Sequence, residues 1–143
     1  MVEDCELYAK KQVSVAMMVF YMTWLNYFGD PDDRVINNLN VLLIQWSSEN
    51  KRGDGYDEFG VKYENARYSG LTLSRGIIWV KAQEKDRLIC ETSFVHELVH
   101  ASIWAVKLSD GDPDHNGTKY SGWTSYHTTL IMRVNKTLCE LGI

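Results

Sequence analysis

Residues 96–100 read His-Glu-Leu-Val-His, an HExxH pattern. In an α-helix, residues i and i+4 lie on one face a single turn apart, so the imidazoles of His96 and His100 are predicted to bind one Zn²⁺. Glu97 lies one step around the helix, where its carboxylate can reach a zinc-bound water and accept a proton. The pattern therefore predicts zinc-assisted hydrolysis with Glu97 as the catalytic base.

A catalytic zinc site needs a third protein ligand and an open position for water. His115 follows the motif by fifteen residues, and the Asp/Gly/Pro-rich loop at 109–114 lets the chain reverse towards the motif. A metzincin would continue with Gly at 103 and His at 106, but the chain has Ile103 and Val106, which excludes that class. Glu140 is the only glutamate downstream and lies near the terminus. We therefore expect His115 to complete the zinc site.

Short periodic segments must position these residues. Apolar residues at three- and four-residue steps predict helices over 13–28, 92–107 and 119–141. Apolar runs predict strands over 41–46, 70–73 and 76–80, and the polar stretch that follows the first strand, up to residue 60, predicts a long loop or wide hairpin with an exposed turn at 50–55. The expected fold class is α+β, with a small, mostly antiparallel sheet packed by helices.

Composition limits the classes of protein to which the chain can belong. Its 143 residues, 45% hydrophobic and 24% charged, predict a single globular domain over 1–143. The net charge of −4 does not favour DNA as a direct partner. The longest uncharged run, 12–29, carries Ser14, Thr23 and Asn26 and predicts an amphipathic helix, so no membrane span is expected.

The cysteines and the N-terminus bear on the compartment. Cys5, Cys90 and Cys139 are an odd number without a CxxC pair, so we expect reduced, buried thiols and no cysteine zinc site. The first residues are acidic and lack the pattern of a secretory signal. These features together predict a cytoplasmic protein.

The zinc motif and its surroundings resemble the SprT-like zinc metallopeptidases. The resemblance rests on HELVHA at 96–101 and on HNGTKY at 115–120, where that family has a third histidine, a glycine and an aromatic residue at the start of the next helix. WLNYFGD at 24–30 is similar to the end of the family's first helix. The strand at 76–81 stands where the family has the sheet edge that precedes the active-site helix.

The resemblance implies a zincin-like, minimal metalloprotease domain over 1–143. It implies one Zn²⁺ per chain bound by His96, His100 and His115, with Glu97 as the catalytic base. The implied activity is the cleavage of protein substrates, and the family's best-known branch degrades proteins crosslinked to DNA. The chain departs from the family at Asn116, which interrupts the usual His-Gly pair, and we expect neither a four-cysteine zinc ribbon nor a basic tail.

Other polar and aromatic side chains near the motif have two interpretations each. Tyr120, Trp123 and Tyr126 could line the cleft or donate a hydrogen bond to the transition state, although aromatics at helical spacing more often belong to the core. His127 could act as a substitute ligand or oxyanion stabiliser, but its apolar neighbours favour a hydrogen-bonded core histidine. For the aspartates of the loop at 109–114, exposure to solvent is favoured over contact with a ligand imidazole.

Three functions remain open from the residues. The first is an endopeptidase whose extended substrate adds to the sheet edge near 76–81. The second is a catalytically weak or inactive zincin-fold module that binds a partner protein, and the third is a hydrolase of non-protein amides. Glu97 favours catalysis over the binding module, because a structural zinc needs no base.

Overall fold

The computed structural model describes residues 8–48, 51–56, 61–82, 86–107 and 122–143. Within these ranges it has four α-helices, α1 (Lys10–Phe28), α2 (Arg34–Val41), α3 (Phe94–Lys107) and α4 (Ser125–Glu140). The same ranges contain five strands, β1 (Leu43–Ser47), β2 (Lys51–Tyr56), β3 (Lys62–Tyr68), β4 (Gly70–Ser74) and β5 (Ile77–Lys81). Two of the three strand pairings are antiparallel, so the predicted α+β class with a small, mostly antiparallel sheet is confirmed.

The main sheet has the strand order β1–β5–β4. β5 pairs in parallel with β1 and antiparallel with β4, to which it is joined through Arg75 and Gly76. Its residues Ile78, Trp79 and Val80 are all buried, as expected for a strand covered on both faces. The prediction that 76–81 forms the sheet edge before the active-site helix is therefore wrong, because β5 is the central strand and β4 lies at the edge.

α1 follows the predicted periodicity. Phe20 and Trp24 are buried, and the helix ends at Gly29, whose φ of 70° lies in the left-handed region and whose N–H donates to the carbonyl of Leu25. None of the described helices is both long enough and apolar enough to cross a membrane.

α2 was not predicted, and the strand expected at 41–46 begins only at Leu43. Asn-rich α2 has weak helical propensity, but Val35 and Leu39 bury one face of it against the core. The carboxylate of Asp30 accepts hydrogen bonds from the backbone N–H groups of Val35 and Ile36 at 2.8 and 3.0 Å. Tertiary burial and this side-chain cap thus form a helix that propensity alone does not.

β2 and β3 form a separate antiparallel hairpin, so the wide hairpin predicted after the first strand is present. The exposed turn predicted at 50–55 is wrong, because Lys51–Tyr56 is strand β2. The ring of Tyr68 on β3 lies across Gly53 and Gly55 of β2, and a Cβ on Gly55 would meet the Tyr68 Oη at 2.5 Å. The two glycines that suggest a turn in the sequence instead make room for an aromatic ring across the strand pair.

α3 carries the HExxH motif and is the most buried helix. Its apolar residues Val95, Leu98 and Val99 are fully buried in the core, as predicted. The helix begins at Phe94 rather than at residue 92, since the Thr92 hydroxyl accepts the hydrogen bond of the Phe94 N–H at 3.2 Å.

α4 begins at Ser125, later than the predicted residue 119. Thr124 caps it, because its hydroxyl accepts from the Tyr126 N–H while its own N–H donates to the His127 Nδ1 at 2.9 Å. Leu130, Val134 and Leu138 are buried as expected. Residues 119–121 lie outside the described residues, and Gly122 to Thr124 are not helical.

Cys90 and Cys139 form a disulfide with their Cα atoms 5.5 Å apart, which corrects the prediction of reduced thiols. The two residues are 49 positions apart, so periodicity and spacing could not pair them. The bond ties the short 3-10 helix Ile89–Glu91, which precedes α3, to the end of α4. Cys5 lies outside the described residues. Structural disulfides are rare in reducing compartments, so this bond does not support the cytoplasmic placement. That placement stays a prediction.

Candidate metal centre

His96 and His100 present their imidazoles side by side on one face of α3. Their Nε2 atoms are 3.2 Å apart, and the ring centroids are 4.9 Å apart. His100 is buried, whereas the His96 side chain keeps 23% of its surface exposed. One side of this imidazole pair is thus closed by protein and the other reaches the surface.

The spacing of the imidazole pair fits a shared zinc ion. Two Zn–N bonds of about 2.0–2.1 Å that meet near the tetrahedral angle hold their nitrogens about 3.3–3.4 Å apart. The observed 3.2 Å agrees with that separation. Two neutral imidazoles at this distance can also share one hydrogen bond when no metal is bound.

The third predicted ligand, His115, lies outside the described residues, as do Tyr120 and the aspartates of the loop at 109–114. In the part of the chain that the structure describes, no three His, Cys, Asp or Glu side chains form a metal-binding group.

Trp123 packs against both members of the imidazole pair. Its ring centroid is 4.9 Å from that of His96 and 4.8 Å from that of His100. The indole is buried and donates through Nε1 to the Thr128 hydroxyl at 2.9 Å, which fixes its orientation. Trp123 thus belongs to the core and forms one wall of the site.

Glu97 is buried between α3 and the edge strand β4. Its Oε1 accepts a hydrogen bond from the Thr72 hydroxyl at 3.0 Å, and its Oε2 is 3.9 Å from the His96 Nε2. Only 4% of the residue is exposed. The carboxyl group is therefore held by β4 next to the imidazole pair rather than extended into solvent.

Gly70, the first residue of β4, makes this position available. A Cβ at residue 70 would lie 2.7 Å from the Glu97 Oε2 and 2.8 Å from its Cγ. Both distances are shorter than any normal contact, so any larger residue would displace the Glu97 side chain. The absence of a side chain at Gly70 is thus a structural requirement of the site.

Burial raises the pKa of Glu97 from its ordinary 4.5 to about 8, and the hydrogen bond from Thr72 opposes that rise only in part. Desolvation penalises the charged form of a carboxyl group. The metal-free site therefore keeps Glu97 protonated at neutral pH, whereas a positive charge bound beside it would favour the carboxylate.

The β2–β3 hairpin covers the outer side of the site. A cleft of about 250 Å³ opens between the hairpin, the start of β4 and the first turns of α3. We call it the hairpin cleft, and its lining consists of Gly55, Tyr63, Ala66, Arg67, Tyr68, Ser69, Gly70, Ser93, His96 and Glu97. It is the described space next to Glu97 in which a substrate can lie.

Tyr126 and His127 are not brought to the hairpin cleft. Tyr126 is 67% exposed, so it is not a core residue either, and both side chains line a different cavity of about 420 Å³. His127 is buried, stacks on Phe28 with the ring centroids 4.2 Å apart, and accepts from the Thr124 N–H. It has the surroundings of the hydrogen-bonded core histidine that its apolar neighbours indicate.

Sequence reasoning missed the residues that come from strands. Gly70 and Thr72 position Glu97, and Arg67 and Tyr68 line the cleft, yet none belongs to a recognisable motif. A strand was predicted over 70–73, but its register against α3 depends on the packing of the whole sheet. No local signal could therefore have identified these contacts.

The chain was compared with protein-family models, with curated proteins and with solved structures. None of the three comparisons finds a match.

Proposed function

We propose that this chain is a zinc-dependent metallopeptidase of the SprT-like kind that cleaves protein substrates. The observation that carries the proposal is the imidazole pair at zinc-chelating separation, 3.2 Å between the Nε2 atoms, beside the buried carboxyl group of Glu97. The resemblance at 96–101 and 115–120 adds His115 as the third ligand.

Each residue of the site has a separate task. His96 and His100 would hold the metal through Nε2, and His115 is proposed to join them. A zinc ion bound there supplies an activated water and polarises the carbonyl of the bond to be cleaved. Glu97 would serve as the base, holding a proton on its carboxylate and passing it to the leaving amine.

The buried position of Glu97 suits this task once the metal is bound. The raised pKa shows that the site disfavours an isolated carboxylate, because there is no solvent to stabilise it. A metal cation bound by His96 and His100 would lower the pKa of Glu97 and so favour the carboxylate, the form that accepts a proton. The Thr72 hydroxyl hydrogen-bonds Oε1, leaving Oε2, 3.9 Å from the His96 Nε2, to face the reaction.

The position of β4 supports an extended peptide as the substrate. Within the described residues β4 pairs only with β5, so its outer backbone edge is open to another strand. A peptide added there gains backbone hydrogen bonds without regard to its side chains. The proposed substrate edge is therefore β4, the strand that also holds Glu97, and not the central strand at 76–81. The net charge of −4 gives no reason to add direct DNA contact.

The proposal is tested by zinc stoichiometry and peptide hydrolysis on the wild type and on Glu97→Gln. We expect one zinc per chain in both proteins, and casein hydrolysis in the wild type only, since Gln keeps the shape but cannot accept a proton. The expected loss is ~10²–10⁴-fold or more. Equal turnover in both proteins would refute the mechanism, and zinc binding without hydrolysis in the wild type would favour the binding module.

A further inference from the structure

Arg67 is the one arginine or lysine among the residues that line the hairpin cleft. It lies on β3, exposed to solvent, in the same cleft as His96 and Glu97. A substrate bound to the imidazole pair and lying in this cleft would share its lining with Arg67. The guanidinium is therefore available to the part of a substrate that flanks the cleaved bond.

No carboxylate of the described chain neutralises Arg67. Within the described ranges no Asp or Glu comes within ion-pair distance of its guanidinium. Arg52 of β2 stands directly opposite Arg67 in the hairpin register, which places two cations on one face. Like charges directly opposite each other destabilise a strand pair, and in the described part of the hairpin no ion pair offsets these two.

Hydrogen bonds hold together the strands around Arg67. The Asn65 N–H donates to the Asp54 Oδ1 at 2.8 Å, and the Tyr68 hydroxyl donates to the Asp54 carbonyl. Next to β4, the hydroxyl groups of Ser69 and Ser93 share a hydrogen bond at 2.8 Å, which joins the end of the hairpin to the start of α3. These hydrogen bonds restrain the backbone that carries Arg67, which reduces the entropy lost when Arg67 binds a ligand.

We propose that Arg67 makes this site selective for peptides that carry a carboxylate next to the cleaved bond. The inference rests on the peptidase function proposed above. A planar guanidinium matches a carboxylate with two parallel N–H···O bonds, which an amide of the same shape cannot replace. The carboxylate can come from an Asp or Glu side chain or from a free C-terminus, so the test must separate these two sources.

Binding to the zinc-loaded Glu97→Gln variant tests the proposal without turnover. Three labelled peptides are compared by fluorescence anisotropy, an Ala-Asp repeat and an Ala-Asn repeat, both amidated, and an Ala-Asn repeat with a free C-terminus. The repeat holds all its carboxylates on one face of an extended peptide, so every second register brings one towards Arg67. We expect the Ala-Asp peptide to bind about tenfold tighter than its amidated Ala-Asn twin, the value of one partly exposed charge-assisted bond.

Further variants in the Glu97→Gln background assign the preference to one side chain. Arg67→Gln should remove it, and Arg67→Glu should reverse it in favour of an Ala-Lys repeat. Lys62→Gln is the matched control, since Lys62 lies on the same strand outside the cleft lining and its loss changes the net charge equally. Lys62→Gln should keep the preference.

The outcomes for the two proposals are separable. Equal binding of all three peptides, a preference that survives Arg67→Gln, or no binding of any peptide would overturn the role of Arg67. Tighter binding of the free C-terminus alone, if Arg67→Gln removes it, would support the role of Arg67 and assign the carboxylate to the chain end. Hydrolysis of the same peptides by the wild type is scored separately, so selective binding without cleavage would refute only the peptidase function.

Discussion

The two sides of the hairpin cleft are built in different ways. On the inner side, Glu97, His100 and Trp123 are buried and fixed by contacts between distant parts of the chain, namely α3, β4 and the segment before α4. On the outer side, β2 and β3 pair mainly with each other and expose most of their side chains. The hairpin reaches the main sheet through the cation–π contact of Lys51 with Trp79, 5.4 Å from the ring centroid.

This difference assigns the chemical step to the inner side of the cleft and the selection of substrates to the outer side. A base and metal ligands must be held to within a fraction of an ångström, which requires buried, tightly packed elements. A surface that distinguishes substrates needs only a stable support and can change without disturbing the core. The following predictions test this division, in order of decreasing free-energy effect.

Glu97 should govern how the unfolding free energy of the metal-free protein depends on pH. Its pKa is about 8 in the folded chain against 4.5 in the unfolded chain, so the unfolded state alone ionises between these values. The stability that the protonated form contributes is complete below pH 4.5 and is lost as pH rises through about 8. At about 1.4 kcal/mol per unit of pKa shift, the total loss is up to a few kcal/mol. Denaturant unfolding in EDTA at several pH values measures it.

Glu97→Gln is the control for that measurement, because it keeps an acceptor for Thr72 and cannot ionise. The difference in unfolding free energy between wild type and variant should change with pH, whereas contributions from all other groups cancel. A constant difference between pH 5 and 8 would contradict the burial of a neutral carboxyl group.

Removal of the disulfide should destabilise the inner side of the molecule. Cys90→Ser opens a loop of 49 residues that joins the segment before α3 to α4, at an expected cost of about 2–4 kcal/mol. Thermal unfolding with and without reductant measures it. Reductant should lower the melting temperature of the wild type and leave that of Cys90→Ser unchanged, and an insensitive wild type would show that the bond is not formed.

Gly70→Ala should impair catalysis with little effect on zinc binding. The new Cβ would meet the Glu97 Cγ at 2.8 Å and force the base away from its position. We expect kcat/KM to fall by about 100-fold, which corresponds to about 2.7 kcal/mol. Gly76→Ala is the matched control, since a Cβ there has no neighbour within 4 Å, and an equal loss in both variants would contradict the steric explanation.

Thr72→Val should have a smaller and more specific effect. It removes the donor to the Glu97 Oε1, so kcat should fall about tenfold, with KM changed little. Since the Thr72 hydrogen bond lowers the pKa of Glu97, its loss should move the acidic limb of the pH–rate profile to higher pH. Thr72→Ser should restore both the rate and the profile, whereas a serine variant as impaired as the valine would indicate a packing role.

Gly55→Ala should give the smallest change in stability. Its Cβ would meet the Tyr68 Oη at 2.5 Å and distort the hairpin, but few contacts connect the hairpin to the core. We expect the unfolding free energy to change by less than ~1 kcal/mol, while the preference for acidic peptides weakens. Global unfolding together with unchanged selectivity would remove the distinction between the two sides of the cleft.

Local sequence patterns were sufficient for the buried faces of the long helices and for the spacing of the zinc motif. The periodicity of α1 and α3 predicted their buried faces, and the spacing of His96 and His100 predicted that their imidazoles converge. These relations follow from the helical repeat of 3.6 residues, which does not depend on the rest of the fold.

Only the tertiary structure determined which distant residues contact α3 and each other. Which strand lies at the sheet edge, why residue 70 must be glycine, and how Cys90 pairs with Cys139 all depend on contacts between residues far apart in the chain. Strand β2 and helix α2 were also hidden, because glycine and asparagine are poor strand and helix formers whose preferences are outweighed here by burial and cross-strand packing. Local patterns thus identify the chemical groups, and long-range packing determines their surroundings and hence their pKa and access to substrate.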